Sequence, residues 1–373
     1  MNAEVLVVGA GPAGLATAGC LVQRGLRPQV IEKGEHLAAS WRAHYDRLHL
    51  HTVKALSSLP GLPFPAACPR YVSRQTVVDY LAAYAEHHGI APHLGEEAIA
   101  ISPTDGGWQT STATGRLYES KVVIVATGAN SRPNRPTFAN EESYRGRIVH
   151  SGAYRNPAPF AGQRVLVVGM GNTGAEIALD LAEHGVRAAI SLRAPVNIVY
   201  RDVLGRPTQL TSIALSWLPN TWGDAIASVL RDLTVGDLSR YGISTSKVSP
   251  LRQLRQHGKT PVIDVGTLAR IKSGDIAVHP GIERFTQDGV RFAGGGEGEF
   301  DAVVMATGYQ AGVERLFPGR ELTLDRNGMP VAVVGRGELA GVFFVGFDNK
   351  QPGGVLRTIG LQAQEVADVV ARG

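Results

Sequence analysis

Two glycine signatures, Gly9-Ala10-Gly11-Pro12-Ala13-Gly14 and Gly169-Met170-Gly171-Asn172-Thr173-Gly174, each close a run of β-branched residues. Glu4-Val5-Leu6-Val7-Val8 and Arg164-Val165-Leu166-Val167-Val168 read as short buried parallel strands, each followed by an alanine- and leucine-rich stretch with helical spacing. In a strand, tight turn and helix of this kind the first glycine permits the turn. The second lets the backbone approach a pyrophosphate, and the third brings helix and strand together. The N–H groups at the helix start then meet the anion. One such signature also occurs in turns that hold nothing, but two in the same context outweigh that reading. The expectation is an α/β chain with two Rossmann-like dinucleotide-binding domains.

The residues downstream of each signature distinguish the two sites. Pro28-Gln29-Val30-Ile31-Glu32-Lys33 forms a second strand that ends in an acid, and a carboxylate there accepts hydrogen bonds from ribose hydroxyls, which suits FAD or NAD. Ala188-Ala189-Ile190-Ser191-Leu192-Arg193 ends instead in a hydroxyl and a guanidinium with no acid. A 2′-phosphate pairs with arginine and is repelled by a carboxylate, so this second site favours NADPH over NADH. The plain alternative for Arg193 is a solvated surface charge.

Composition excludes several classes. At 373 residues, 44% hydrophobic and 19% charged, the chain has the make-up of a soluble protein large enough for two cores. A net charge of +4 with interspersed basic residues argues against a nucleic-acid partner. Cys20 and Cys68 form neither a C-x-x-C pair nor part of a zinc-ligand cluster, so no metal and no redox dithiol are expected, and the usage points to a reducing compartment. A first strand near Glu4 leaves no room for a cleavable leader, and no apolar run is long enough to span a bilayer. The expected location is the cytoplasm.

Along the chain, a turn-rich stretch from Ser40 to Arg70 contains Trp41-Arg42 and Tyr45-Asp46-Arg47-Leu48-His49-Leu50-His51, where a cofactor-contacting loop belongs. Thr76 to Gly89 has helical periodicity, with His87-His88 read as a solvated cap at its end. Two similar strands end in Ala126-Thr127-Gly128 and Ala306-Thr307-Gly308-Tyr309, each expected to close one nucleotide-binding sheet. A proline- and glycine-rich linker runs from Asn130 to Gly162. The tail, with strand Val342-Phe343-Phe344-Val345 and a helix from Leu361 to Ala371, is expected to return to the first domain. This gives an FAD-binding part over 1–155, an inserted NADPH domain over 156–311 and a return segment over 312–373. The apolar stretch 210–238 reads as core or pocket lining in preference to a membrane anchor.

Between the signatures, Tyr144-Arg145-Gly146-Arg147-Ile148-Val149-His150-Ser151-Gly152-Ala153-Tyr154 fits the pattern F-x-G-x-x-x-H-x-x-x-F/Y, with Tyr144 at the first aromatic. With the order of the four motifs, the chain resembles the flavin-containing monooxygenases, or class B flavoprotein monooxygenases. Tyr154 stands where Baeyer–Villiger members usually carry tryptophan. The run Tyr45 to His51, with Leu59-Pro60 and Phe64-Pro65 after it, is similar to the YUCCA branch, the indole-3-pyruvate monooxygenases, although Val53 replaces that branch's usual proline.

The resemblance implies FAD and NADPH as cofactors, a flavin C4a-(hydro)peroxide, and insertion of one oxygen atom from dioxygen into a small organic substrate. Oxidative decarboxylation of an aryl-pyruvate such as indole-3-pyruvate leads. N- or S-oxygenation of amines or thioethers stands beside it, as does a different class, an NADPH-dependent flavoprotein reductase without oxygen insertion. It further implies that Gly9, Gly11, Pro12, Ala13 and Gly14 cradle the FAD pyrophosphate, with Glu32 and Lys33 at the ribose. Trp41, Arg42, His51 and Thr52 would line the flavin, with Ala126, Thr127 and Gly128 nearby. Gly169, Gly171, Asn172, Thr173 and Gly174 would hold NADPH, with Ser191 and Arg193 at its 2′-phosphate and His150, Ala306, Thr307 and Gly308 around the pocket. His51 is the catalytic candidate, because an imidazole donates or exchanges a proton near neutral pH; its bland alternative is a ring satisfied by a backbone carbonyl. Lys54 reads either as a solvated cation or as an attractor for a substrate carboxylate. A homodimer stays open as the assembly.

Overall fold

In the computed structural model, which describes residues 2–372, β1 (Asn2–Val8) is the hub of the first sheet. Its valines and Leu6 are essentially without solvent exposure, as a strand covered on both faces requires. β1 pairs in parallel with β2 (Gln29–Glu32), Val7 opposite Val30, and with β6 (Leu117–Val125), Leu6 opposite Val123. The sheet order is β3-β2-β1-β6-β5-β4, with β3 at His93–Leu94, β4 at Ala98–Thr104 and β5 at Gly107–Thr112. The strand Val342–Phe344 returns to pair with β6. Between β1 and β2 runs helix α1 (Pro12–Gln23), whose proline sits in the first turn where no N–H is needed. Next come the short α2 (Ala39–Ala43) and α3 (Arg74–His87), which starts earlier than its periodicity predicts because Ser73 caps the Thr76 N–H at 3.2 Å. The core on one side of this sheet is built from Leu6, Val8, Ile31, Trp108, Val123, Phe317 and Phe344.

The second sheet is fully parallel. β7 (Arg147–His150), β8 (Arg164–Val168), β9 (Arg187–Leu192), β10 (Ile276–Pro280) and β11 (Ala302–Met305) are ordered β10-β9-β8-β11-β7. Helix α4 (Asn172–Glu183) covers one face through Ile177, Ala178 and Leu181. The antiparallel ribbon 282–299, followed by Phe300, covers the other through Phe285, Val290 and Phe292.

The chain divides into two compact units, one made of 1–42, 52–132 and 309–373 and the other of 43–51 and 133–308. These bounds differ from those expected from sequence. The boundary moves from 155 to 132 because β7 is an edge strand of the second sheet, with Ile148 opposite Val303, and Tyr144 lies in that unit's core. The return point moves from 312 to 309. Segment 43–51 leaves the first unit because Tyr45, 3% exposed, is buried in the core beneath α4.

The stretch 210–238 also departs from expectation. It forms α5 (Thr208–Leu215) and α6 (Asn220–Val235), and the buried stripe of α6 is Gly223, Asp224, Ala227, Arg231 and Val235. Trp217 and Trp222 are 81% and 69% exposed. Asp224 and Arg231 go inside because each is fully engaged, Asp224 by Ser249, Arg252 and Arg255, and Arg231 by Asn197 and the Ser246 carbonyl. Among the described residues no helix is long and apolar enough to cross a membrane, and no cluster of His, Cys, Asp and Glu could hold a metal.

Candidate active site

In the first unit the glycines divide by task. Gly9 has φ +113°, and a Cβ there would lie 2.5 Å from the Ala126 carbonyl oxygen; a Cβ on Gly14 would lie 1.8 Å from the Gly9 oxygen. Both are therefore demanded by the chain's own packing. At Gly11 a Cβ would meet nothing within 4 Å, so the side facing the helix start is open. Gly11 also leaves the first turn of α1 without a side-chain cap. Open space beside uncapped N–H groups fits a pyrophosphate.

Glu32 is buried, and its oxygens accept from the Ala10 N–H at 2.7 Å and the Gly34 N–H at 2.9 Å. Each oxygen keeps acceptor capacity for a ribose hydroxyl. Lys33 is exposed beside it. Ala126 continues β6 through its bond to the Val8 carbonyl, and Gly128 has φ +86°. Trp41 and Arg42 are half-buried on α2, where Arg42 Nε donates to the Leu37 carbonyl. The Thr52 hydroxyl pairs with that of Ser57.

Sequence reasoning missed the return segment at this site. A Cβ on Gly346 would come within 2.8 Å of the Ala13 methyl, and one on Gly354 within 2.5 Å of Thr52. Gly354 also opens the C-terminal helix Val355–Ala371 without a side-chain cap. The pair Gly353-Gly354 ahead of an apolar periodic run was the available signal.

The second unit repeats the cradle. Gly169 has φ +101° with a virtual Cβ 2.8 Å from the Ala306 oxygen, Gly174 would clash at 2.0 Å with the Gly169 oxygen, and Gly171 is open. Thr173 is half-buried in the first turn of α4. Two expected polar contacts are spent elsewhere. The Asn172 amide accepts from the Ile263 N–H at 2.7 Å and donates to the Pro261 carbonyl, tying α4 to a neighbouring strand. Ser191 is 2% exposed and donates its hydroxyl proton to the Pro280 carbonyl at 2.8 Å, so it has no proton for a phosphate. Arg193, just beyond β9, is exposed.

His150 Nδ1 accepts from the Gly152 N–H, which leaves the proton on Nε2 to donate to the Gly308 carbonyl at 3.1 Å. Burial pushes its pKa down, consistent with a neutral ring. The Thr307 hydroxyl donates to the Asn134 carbonyl and the Asn134 N–H to the Gly308 carbonyl. Tyr144 donates to the Phe300 carbonyl, and burial raises its hydroxyl to about 12. Tyr154 donates to Asp180 at 2.7 Å.

His51 does not have the backbone-carbonyl partner of its plain alternative. Its Nε2 meets the carboxylate of Glu176 on α4, which the Tyr45 hydroxyl also engages. Burial raises the Tyr45 pKa, with the Glu176 charge as a second cause. The same loop is fixed by Arg47 to Glu183 at 2.8 Å and by the Asp46 N–H to the Arg155 carbonyl. Glu176 went unremarked in the sequence. An acid at i and another, Asp180, at i+4 within the buried stripe of an apolar helix was the missed signal.

Two further readings are corrected. Lys54, half-buried, donates to the carbonyls of Pro65, Ala66 and Cys68 and so clamps its own loop, its donors spent there instead of on a substrate. His88 packs against Tyr84, ring centroids 4.5 Å apart, and is half-buried.

The model of the flavin-binding monooxygenase-like family matches residues 2–317. The chain is 39% identical over 312 residues to the indole-3-pyruvate monooxygenase YUCCA1 of Oryza sativa subsp. japonica, covering 83% of this chain and 77% of that one. It is 37% identical over 368 residues to YUCCA4 of the same plant, covering 94% and 84%. Among solved structures, a flavin-containing monooxygenase from Stenotrophomonas maltophilia superposes with a TM-score of 0.77 at 23% identity, covering 100% of this chain and 98% of that one, which shows the shared fold. The chain belongs to the flavin-binding monooxygenase-like family and is an NADPH-dependent flavin monooxygenase with FAD and NADPH as cofactors. Bound FAD and NADPH supply hydride transfer and the activation of dioxygen, while the protein supplies binding, orientation and exclusion of water.

Proposed function

We propose that this enzyme oxidatively decarboxylates an aryl-pyruvate of the indole-3-pyruvate type. The observation that carries this reading is the identity, 39% and 37% over most of the chain, to proteins named for that activity. The overall reaction balances: aryl-pyruvate, O2, NADPH and H⁺ give the acid one carbon shorter, CO2, NADP⁺ and water.

In this reading the first unit binds FAD through Gly9, Gly11, Gly14 and Glu32. The second binds NADPH through Gly169, Gly171 and Gly174, with Arg193 on the 2′-phosphate. Uncapped helix starts hold the two pyrophosphates, and the Glu32 carboxylate holds a ribose. His51 supplies or holds a proton beside the reacting centre; its ring keeps 12% side-chain exposure, enough for one edge to be reached. The free thiols Cys20 and Cys68 support a cytoplasmic setting.

The test is a panel of aryl-pyruvates, amines and thioethers given to the purified holoprotein, scored for product. Aryl-acetate and CO2 formed one for one with NADPH consumed is the expected result. N-oxide or sulfoxide as the principal product, with aryl-pyruvates inert, overturns the substrate assignment.

A further inference from the structure

We propose that Glu176 is the positioning residue for His51: its carboxylate takes the Nε2–H of the ring, sets the tautomer, and leaves Nδ1 as the nitrogen available for chemistry. The proposal rests on the functional reading of His51. Its basis is where Glu176 sits. It is 4% exposed in the middle of α4, between Ala175 and Ile177, in a buried stripe that is apolar apart from Glu176 itself and Asp180. A carboxylate in such a place is unfavourable unless hydrogen-bonded, and its partners, the His51 Nε2 and the Tyr45 hydroxyl, both come from segment 43–51.

The neighbouring charges do not compete for the imidazole. Asp180, one turn along α4, accepts from Tyr154 and lies 3.5 Å from His184, while Glu183 is paired with Arg47. Asp46 bonds through its carboxylate to the Asn156 amide and lies 3.7 Å from Arg155. Glu176 thus faces His51 as an acid faces the histidine of a catalytic triad: a buried carboxylate on one ring nitrogen dictates the state of the other. An apolar residue at 176 would pack against the helix stripe equally well, but it would leave the ring free to rotate and to hold its proton on either nitrogen.

The experiment is nitrogen-15 NMR of histidine-labelled holoprotein, with steady-state kinetics in parallel. His51→Gln assigns the His51 signals. The expected wild-type spectrum shows His51 protonated at Nε2, with a strongly downfield, slowly exchanging N–H proton. In Glu176→Gln that proton signal disappears and the tautomers mix, with kcat reduced by roughly ten- to a hundredfold and KM for NADPH changed by less than about twofold. Tyr45→Phe removes the other donor to the same carboxylate and is expected to keep the His51 signal and most of kcat, whereas a mere loop anchor predicts equal losses in both variants. A wild-type His51 protonated on Nδ1 overturns the proposal without Glu176→Gln having to fold, and a Glu176→Gln spectrum with an unchanged tautomer overturns it too. If His51→Gln leaves kcat intact, the catalytic reading of His51 fails by itself, while the spectra still decide the contact to Glu176.

Discussion

The helices that follow the two cradles, α1 and α4, start from almost the same backbone and end with different interiors. Each begins after a left-handed glycine, passes an open glycine, and carries a third glycine pressed onto the carbonyl of the first. Beyond that turn α1 buries Leu15, Ala16, Ala18 and Leu21 with a lone hydroxyl, Thr17, returned to the Ala13 carbonyl. Helix α4 buries Glu176 and Asp180 instead, and each draws in a tyrosine. The comparison separates two layers of design. The cradle is backbone geometry and is the same wherever a pyrophosphate is held; what lies beneath it is side-chain chemistry, and only α4 has been given polar groups that reach a candidate catalytic residue.

The largest effect expected from breaking the comparison lies in the glycines. Gly14→Ala and Gly174→Ala drive a methyl into a carbonyl, so each should cost about 3 kcal/mol or more in stability, read by thermal unfolding, with bound flavin lost from the former. Gly11→Ala has space, and should leave unfolding unchanged while weakening FAD retention. Equal destabilisation by Gly11→Ala and Gly14→Ala breaks the division of tasks.

Next in size is the contrast at the ribose ends. Arg193→Ala should weaken NADPH by roughly 1.5–3 kcal/mol, the worth of a charge-assisted hydrogen bond, and NADH far less. Ser191→Ala should cost about 1 kcal/mol in stability with the NADPH-to-NADH preference unchanged, because its hydroxyl serves Pro280. A lost preference in Ser191→Ala, measured by cofactor titration, returns that hydroxyl to the phosphate.

The smallest effect concerns pH. Hydrogen bonds from Arg164 hold the Asp301 carboxyl at about 2, below its ordinary 3.8. A depressed folded-state value means the unfolded chain binds this proton more readily. The stabilisation is therefore present above about pH 4 and disappears as pH falls through about 2. Both side chains are partly exposed, so the contribution is modest. Asp301→Asn should flatten acid unfolding in that window, and an unchanged profile removes the clamp from the account.

Much of this was legible in the residues because it is enforced locally. Gly9 and Gly169 are needed at positive φ, and the β-branched runs before them can only be buried strands. Four ordered motifs carried the family. What escaped was the destination of side chains. Residue type announces that Asn172, Ser191 and Lys54 can hydrogen-bond, but not that a neighbouring carbonyl or N–H already claims them. Segment 43–51 comes after the first cradle in sequence and packs in the second unit, a long-range choice made by Tyr45 and Glu176 together. Helix α6 inverts the usual rule, with Asp224 and Arg231 inside and Trp222 outside, because paired charges can be buried while periodicity counts only apolar residues.

The most direct test of the central claim is isotopic. Holoprotein supplied with NADPH, ¹⁸O2 and an aryl-pyruvate should yield an acid one carbon shorter carrying a single atom of ¹⁸O, with CO2 and NADP⁺ in equal amounts. An acid free of ¹⁸O, or NADPH consumed with hydrogen peroxide as the sole oxygen product for every substrate offered, contradicts it.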